Sequence, residues 1–145
     1  MSRRISTHKA YLAVTSVLIL VYAPLLLLAS MEVTAEPMRW AVDLLSWPLD
    51  GNVTWVALET RFLSGITAGV LVGWGVMVWC LRVWVFDDAP EGVRRTVVVS
   101  AVLWFVVDSG GSILAGVPLN TLANAIFLVV AIGPLWWPAE VAAAA

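Results

Sequence analysis

The strongest constraint on this chain is a set of four long apolar runs separated by short polar connections. The runs cover residues 10–30, 61–85, 96–116 and 119–137, and hydrophobic residues make up 61% of the chain against 12% charged residues. A helix needs about 20 mainly apolar residues to cross a hydrocarbon core about 30 Å thick. An isolated strand cannot cross it, because its backbone N–H and C=O groups would be unpaired. The sequence therefore predicts an all-α integral membrane four-helix bundle that forms a single domain over residues 1–145.

The few charges are distributed unevenly along the chain. The basic residues cluster before the first run and around the connection between the second and third runs: Arg3, Arg4, Lys9, Arg82, Arg94 and Arg95. The connection over residues 31–60 carries half of the acidic residues, namely Glu32, Glu36, Asp43, Asp50 and Glu59. Lys and Arg are enriched in short cytoplasmic loops of membrane proteins. We therefore predict that both termini lie in the cytoplasm and that residues 31–60 lie outside.

A cleaved signal peptide is the alternative interpretation of the N-terminus, with Val33, Thr34 and Ala35 as the cleavage site. The first apolar run has about 20 residues, which exceeds the 7–15 residues of a typical signal-peptide core. We therefore favour an uncleaved first span.

The connection between the first two runs contains a helical pattern over residues 36–50. Its polar residues recur every three or four positions: Glu36, Arg39, Asp43, Ser46 and Asp50. Pro37 suits a first helical turn, and Pro48 ends the pattern. We predict a short amphipathic helix that lies flat on the outer membrane surface, with three residues at headgroup depth: Trp40, Trp47 and Trp55. A helix that binds a protein partner would show the same pattern.

The second span carries glycines at every fourth position, Gly65, Gly69 and Gly73. A stripe of small residues lets another helix approach closely, and close packing holds helices together in lipid. We expect the neighbour to be another helix of the same chain. A second copy of the chain or a membrane-protein partner is the alternative.

One ionisable residue, Asp108, lies deep in a predicted span and cannot reach water by extending its side chain. Counted from Arg95 at 1.5 Å per residue, it lies about 20 Å into the third span, roughly 10 Å below the outer surface. The fourth span enters from that side, so its asparagines reach a similar depth. The residues at or just above this depth form a predicted polar cluster in the outer half of the bundle: Asp108, Asn124, Asn120, Arg61, Tyr22 and Thr67.

The role of Asp108 is open from the sequence. A carboxyl group inside the membrane is costly unless it is paired or protonated. It could accept a proton or contact a ligand, or it could belong to a hydrogen-bonded or ion-paired cluster that fixes helix packing. No second acidic residue or histidine is placed to form a relay, so we favour the structural role.

The chain lacks the residues that a metal, haem or other cofactor site requires. His8 is the only histidine and is expected to be solvated or to lie at headgroup level. Cys80 is the only cysteine and is expected to be a small apolar side chain. The acidic segment 87–91 is expected to be a solvated turn balanced by Arg94 and Arg95. The sequence contains no recognisable catalytic motif, and we predict no cofactor and no nucleic-acid partner.

The segment ETRFLSGITAG, residues 59–69, includes the two residues before the second span and the first residues of that span. The third span follows an arginine pair, and the fourth carries Asn120 and Asn124. This arrangement resembles that of small four-span bacterial membrane proteins of unknown function. The resemblance implies a four-helix fold in a bacterial cytoplasmic (inner) membrane, and it implies no activity.

These features lead to three functional hypotheses. The first is a non-enzymatic integral membrane protein that acts as an accessory or assembly subunit of a larger complex. It would contact the lipid bilayer, and it would contact a membrane-protein partner or a second copy of the chain through span two. The second is a small carrier or binder of a lipid-like or protonatable molecule, with a polar pocket around Asp108. The third is a membrane enzyme that uses Asp108 as an acid–base group.

Overall fold

A computed structural model describes residues 3–139. All regular secondary structure in this part of the chain is helical. The α-helices are α1 (Arg3–Leu28), α2 (Glu36–Ser46), α3 (Leu58–Cys80), α4 (Pro90–Leu114) and α5 (Leu119–Ile132). A π turn (Leu81–Val85) extends α3, and a 3-10 turn (Gly133–Trp136) extends α5. Four helical segments are long and apolar enough to cross a membrane: Arg4–Leu28, Leu58–Val85, Pro90–Leu114 and Leu119–Trp136. The predicted all-α fold with four spans and a short helix between the first two is confirmed.

Proline and glycine residues set several helix boundaries. Pro37 lies in the first turn of α2 and Pro90 begins α4, where a missing backbone N–H leaves no hydrogen bond unmade. Gly116, with a φ of +81°, reverses the chain after α4, a conformation that residues with a Cβ rarely adopt. Pro118 then precedes α5.

The helices form two closely packed pairs. α1 packs most extensively against α3, and α4 packs against α5, while α1 also contacts α5 and joins the two pairs. We call the end that carries the start of α1, residues 86–89 and residues 133–139 the inner end. The end that carries α2 and the Gly116 turn is the outer end. Both names follow the orientation predicted from the charges.

The buried apolar residues fall into two clusters. The larger joins all four spanning segments in the inner half, with Leu12, Val78, Phe86, Val97, Ile132 and Leu135 among its members. The smaller lies at the outer end, where Met38 of α2 packs against Leu26, Ala29 and Ala68. Most of the remaining large apolar side chains of the spans are exposed, as expected for helices that face lipid.

The pair α1 and α3 makes its closest approach at Gly75. A Cβ added at this residue would lie 2.7 Å from Cγ of Leu20 and 3.3 Å from the backbone oxygen of Ser16. The Ser16 hydroxyl also donates a hydrogen bond of 2.8 Å to the backbone oxygen of Gly75. Glycine is therefore required here by the distance between the two helices.

The structure corrects the predicted surface of α2. The helix ends at Ser46, two residues before Pro48, but Asp43, expected on the polar face, is buried. The carboxylate of Asp43 accepts a hydrogen bond of 2.9 Å from the backbone N–H of Gly51. The chain beyond α2 folds back over Asp43 and covers it. Trp55, which was expected at headgroup depth, donates a hydrogen bond of 2.9 Å to the backbone oxygen of Ala29.

Candidate functional site

The most conspicuous polar group within the spans is a cluster that joins α4 and α5. The amide of Asn124 donates a hydrogen bond of 2.8 Å to the carboxylate of Asp108 and a longer one of 3.3 Å to the hydroxyl of Ser109. Asn124 and Ser109 are buried, whereas Asp108 is partly exposed. The structure therefore brings Asp108 and Asn124 together in the outer half of the bundle.

A second hydrogen-bonded pair lies about one turn nearer the outer end. The Ser112 hydroxyl donates to the backbone oxygen of Asp108, and the Asn120 amide donates to the Ser112 oxygen, each at 2.8 Å. Asn120 and Asn124 are four residues apart on α5, and Asp108 and Ser112 are four residues apart on α4, so each pair lies on one helix face. Together the four side chains form a polar seam between α4 and α5.

Tyr22 borders this seam but does not belong to its hydrogen bonds. It lies close enough to Asp108 for electrostatic interaction, and its hydroxyl points to the sulfur of Met38 at 3.9 Å. Thr67 lies elsewhere, exposed on α3, where its hydroxyl donates to the backbone oxygen of Leu63. Arg61 lines a groove beside α1 and forms no hydrogen bond with the seam. The sequence could not give the neighbours of each helix or the rotation of each helix about its own axis.

The glycine stripe of α3 faces away from the helices of the chain. A Cβ added at Gly69 or Gly73 would meet no atom within 4 Å, and one at Gly65 would make only an ordinary contact with Ser30. The expectation of a neighbour inside the chain is therefore wrong for Gly69 and Gly73. Each four-residue step advances about 40° around a helix, so the stripe rotates away from the buried face on which Gly75 lies.

The polar residues at the inner end form a network that the sequence did not predict. Glu91 accepts hydrogen bonds of 2.7 Å from Arg94 and Arg95 and one of 3.0 Å from the backbone N–H of Ala139. Arg94 also donates to the backbone oxygen of Leu135 at 2.7 Å. The pairing of Glu91 with both arginines agrees with the expected charge balance, but the carboxylate ties the chain after α5 to the start of α4 instead of lying in a solvated turn.

His8 is fully buried, so its expected position in solvent or among lipid headgroups is wrong. Its Nε2 donates a hydrogen bond of 3.1 Å to the backbone oxygen of Pro134, and its Nδ1 has no partner among the described residues. A signal for this burial is present in the sequence, because the buried residues of α1 continue from His8 in steps of three or four: Leu12, Thr15, Ile19, Ala23 and Leu26. The basic neighbours of His8 obscured this helical periodicity.

Charged contacts at the two ends also involve residues outside the core. At the inner end, the Arg82 guanidinium lies 4.8 Å from the Trp79 ring and donates to the backbone oxygen of Lys9. At the outer end, two hydrogen bonds from Arg39 to the exposed Glu36 carboxylate lower the pKa of Glu36 below its ordinary value. These contacts anchor helix ends and bring no nucleophile or general base together.

Residues 3–139 contain no group of three or more His, Cys, Asp or Glu side chains that could hold a metal ion. Cys80 is a free, partly buried thiol. Trp104 contacts Trp74 and Phe127 at centroid distances of 6.0 and 5.2 Å, an aromatic cluster that links α3, α4 and α5.

Comparison with protein-family models, with curated proteins and with solved structures gives no match to this chain. Four membrane-capable helices nevertheless indicate a multi-pass membrane protein.

Proposed function

We propose that this chain is a non-enzymatic accessory or assembly subunit that binds a transmembrane helix of a partner protein through α3. The observation that carries the proposal is the open glycine face of that helix. A Cβ added at Gly69 or Gly73 would meet no atom of the described residues within 4 Å, and small residues on a spanning helix allow another helix to pack closely. The exposed side chains beside them, Val70, Val72 and Val76, offer apolar walls for such a helix.

The polar seam favours a structural role for Asp108 over the carrier and enzyme hypotheses. Asn124 uses both hydrogens of its amide in contacts with Asp108 and Ser109. Hydrogen bonds between spanning helices contribute modest stability, about 0.6 kcal/mol on average. We infer that the seam fixes the register of α4 against α5, because it pairs polar groups that would otherwise be unsatisfied in lipid.

The test of the accessory-subunit proposal is purification in mild detergent from native membranes, followed by native mass spectrometry. Gly69→Leu places a bulky side chain on the proposed contact face, and Gly110→Leu is the matched control on α4. Neither glycine has an atom within 4 Å of an added Cβ, so both variants should fold. We expect one stoichiometric partner with the unaltered chain and with Gly110→Leu, and its loss with Gly69→Leu. A lone chain, a homo-oligomer, or equal loss in both variants would refute the proposal.

We also propose a bacterial cytoplasmic membrane location with both termini in the cytoplasm, on the basis of the charge distribution. In a Cys80→Ser background, Asn52→Cys and Asp88→Cys place single thiols at exposed positions in the outer and inner connections. An impermeant maleimide added to intact cells should label residue 52 and leave residue 88 unlabelled until the membrane is opened. The reverse pattern would overturn the orientation.

A further inference from the structure

A groove of about 490 Å³ opens on the surface at the outer end, between the chain that follows α1 and the start of α3. Ser30 forms one wall, and the first turns of α3 supply the remaining lining: Leu58, Arg61, Phe62, Gly65 and Ile66. Apart from Ser30 and Arg61, these side chains are apolar. Phe62 and Ile66 are exposed, so the groove opens towards the surrounding lipid.

Arg61 is the only charged residue of this lining, and its charge is unpaired among residues 4–139. Its Nε is enclosed and makes no hydrogen bond. The basic residues with described ion pairs are Lys9, Arg39, Arg94 and Arg95, and Arg61 is not among them. The Ser30 hydroxyl donates its hydrogen to the backbone oxygen of Leu27 at 2.6 Å. The guanidinium of Arg61 is therefore the free side-chain donor of the groove.

With the start of α3 taken as the outer boundary of the membrane, Arg61 lies at the depth of a lipid headgroup. At 1.5 Å per residue, Arg61 lies about 4.5 Å from the start of α3, and Ile66 lies about 12 Å from it. The polar layer on each side of a bilayer is about 5–7 Å thick outside the hydrocarbon core. A cation at headgroup depth above an apolar wall at acyl-chain depth matches the two parts of a phospholipid molecule.

We propose that this groove binds a glycerophospholipid of the outer leaflet, with its phosphodiester on Arg61 and one acyl chain along Phe62 and Ile66. A guanidinium presents a planar array of donors that fits two phosphate oxygens at once. The Nε of Arg61 is enclosed, so the phosphodiester would contact the two terminal nitrogens of the guanidinium. The positive end of the α3 helix dipole lies at the same level and adds to the attraction for an anion. The site is independent of the proposed partner contact, which lies further along α3 at Gly69 and Gly73.

The experiment is native mass spectrometry of the delipidated full-length chain in detergent, titrated with phosphatidylglycerol. Arg61→Gln removes the proposed phosphate ligand. Arg39→Gln is the matched control, because it removes one positive charge at the same end from a residue already bonded to Glu36. It also frees the Glu36 carboxylate, which would repel an anionic lipid, so retained binding in this variant would exclude a general effect of charge.

We expect the unaltered chain to retain one phosphatidylglycerol. Arg61→Gln should bind this lipid about tenfold more weakly. Arg39→Gln should bind it with an affinity within about twofold of that of the unaltered chain. Diacylglycerol, which has the same acyl chains without the phosphate, should bind at least tenfold more weakly to the unaltered chain. This lipid comparison uses no variant and tests the site even if Arg61→Gln fails to fold. Equal retention of diacylglycerol, equal loss in both variants, displacement by millimolar inorganic phosphate, or a lipid-free dimer would overturn the proposal.

Discussion

Substitution of Gly75 by alanine tests whether close packing between α1 and α3 holds the bundle together. The added Cβ would lie 2.7 and 2.9 Å from two carbons of Leu20 and 3.3 Å from the Ser16 backbone oxygen. An ordinary contact is 3.4–4 Å, so Leu20 would have to move by about 0.7 Å or more. The Ser16 backbone oxygen, one turn earlier on the same face of α1, lies 3.3 Å from the same Cβ and cannot move aside as a side chain can. The helices must separate or the Leu20 side chain must change its rotamer.

The expected loss of stability is set by comparison with Gly73→Ala. Alanine is favoured over glycine inside a helix by up to about 1 kcal/mol, and this gain is common to both variants. Gly73 meets no atom within 4 Å, so its alanine variant should be neutral or more stable than the unaltered chain. Overpacking costs typically about 1–3 kcal/mol, and weakening of the Ser16 hydrogen bond adds about 0.6 kcal/mol. We therefore expect Gly75→Ala to be less stable than Gly73→Ala by about 2 kcal/mol.

The measurement is equilibrium unfolding of both purified variants by SDS in mixed micelles, followed by circular dichroism and tryptophan fluorescence. The difference in unfolding free energy between the two alanine variants isolates packing, because helix propensity cancels. A difference below about 0.5 kcal/mol, which is typical of surface substitutions, would refute the reasoning. It would show that the Gly75 contact relaxes without consequence.

Two further predictions concern the polar networks and use the same titration. Asp108→Asn should change the unfolding free energy by less than about 1 kcal/mol, because its amide oxygen can still accept the hydrogen bond from Asn124. Asp108→Leu should lower the unfolding free energy by about 1–3 kcal/mol, because it leaves that donor unsatisfied. Equal effects of the two substitutions would contradict the structural role of Asp108. Glu91→Gln should cost about 1–2 kcal/mol at any salt concentration, because the Glu91 side chain is only 22% exposed. Asp87→Asn should cost less than about 1 kcal/mol, and this loss should disappear in 0.5 M salt, because Asp87 pairs with Lys9 at an exposed position.

The spans were predictable because one simple physical requirement determines them. A run of about 20 apolar residues must form a helix to satisfy its backbone in lipid, whatever its neighbours. The placement of Asp108 and Asn124 in the outer half of the bundle followed from the fixed rise per residue. The contact between Asp108 and Asn124 could be predicted, because α4 and α5 are joined by the short turn at Gly116.

The rotation of each helix about its own axis was not predictable, and the errors follow from this. In lipid, apolar residues cover both the packed and the exposed faces, so hydrophobic periodicity carries little information. The glycine stripe was assigned to the packed face, although Gly75 and not Gly69 or Gly73 makes the contact with α1. Asp43 and His8 were assigned to solvent because their side chains are polar, but backbone groups brought near them by the fold provide hydrogen-bond partners.

The distribution of polar contacts along the bundle indicates where other molecules can bind. At the inner end, Arg82 donates to the backbone of Lys9, and Arg94 donates to the backbone of Leu135, so the ends of both helix pairs are tied by charged donors. At the outer end, Arg61 of α3 has no such contact among the described residues. Among residues 4–139, the glycine face at Gly69 and Gly73 and the guanidinium of Arg61 have no partners, and both lie on α3, which packs mainly against α1. In lipid, the unsatisfied donor of Arg61 and the open glycine face are each unfavourable unless another molecule covers them. Because both lie on α3, this helix is the surface on which binding should first be tested.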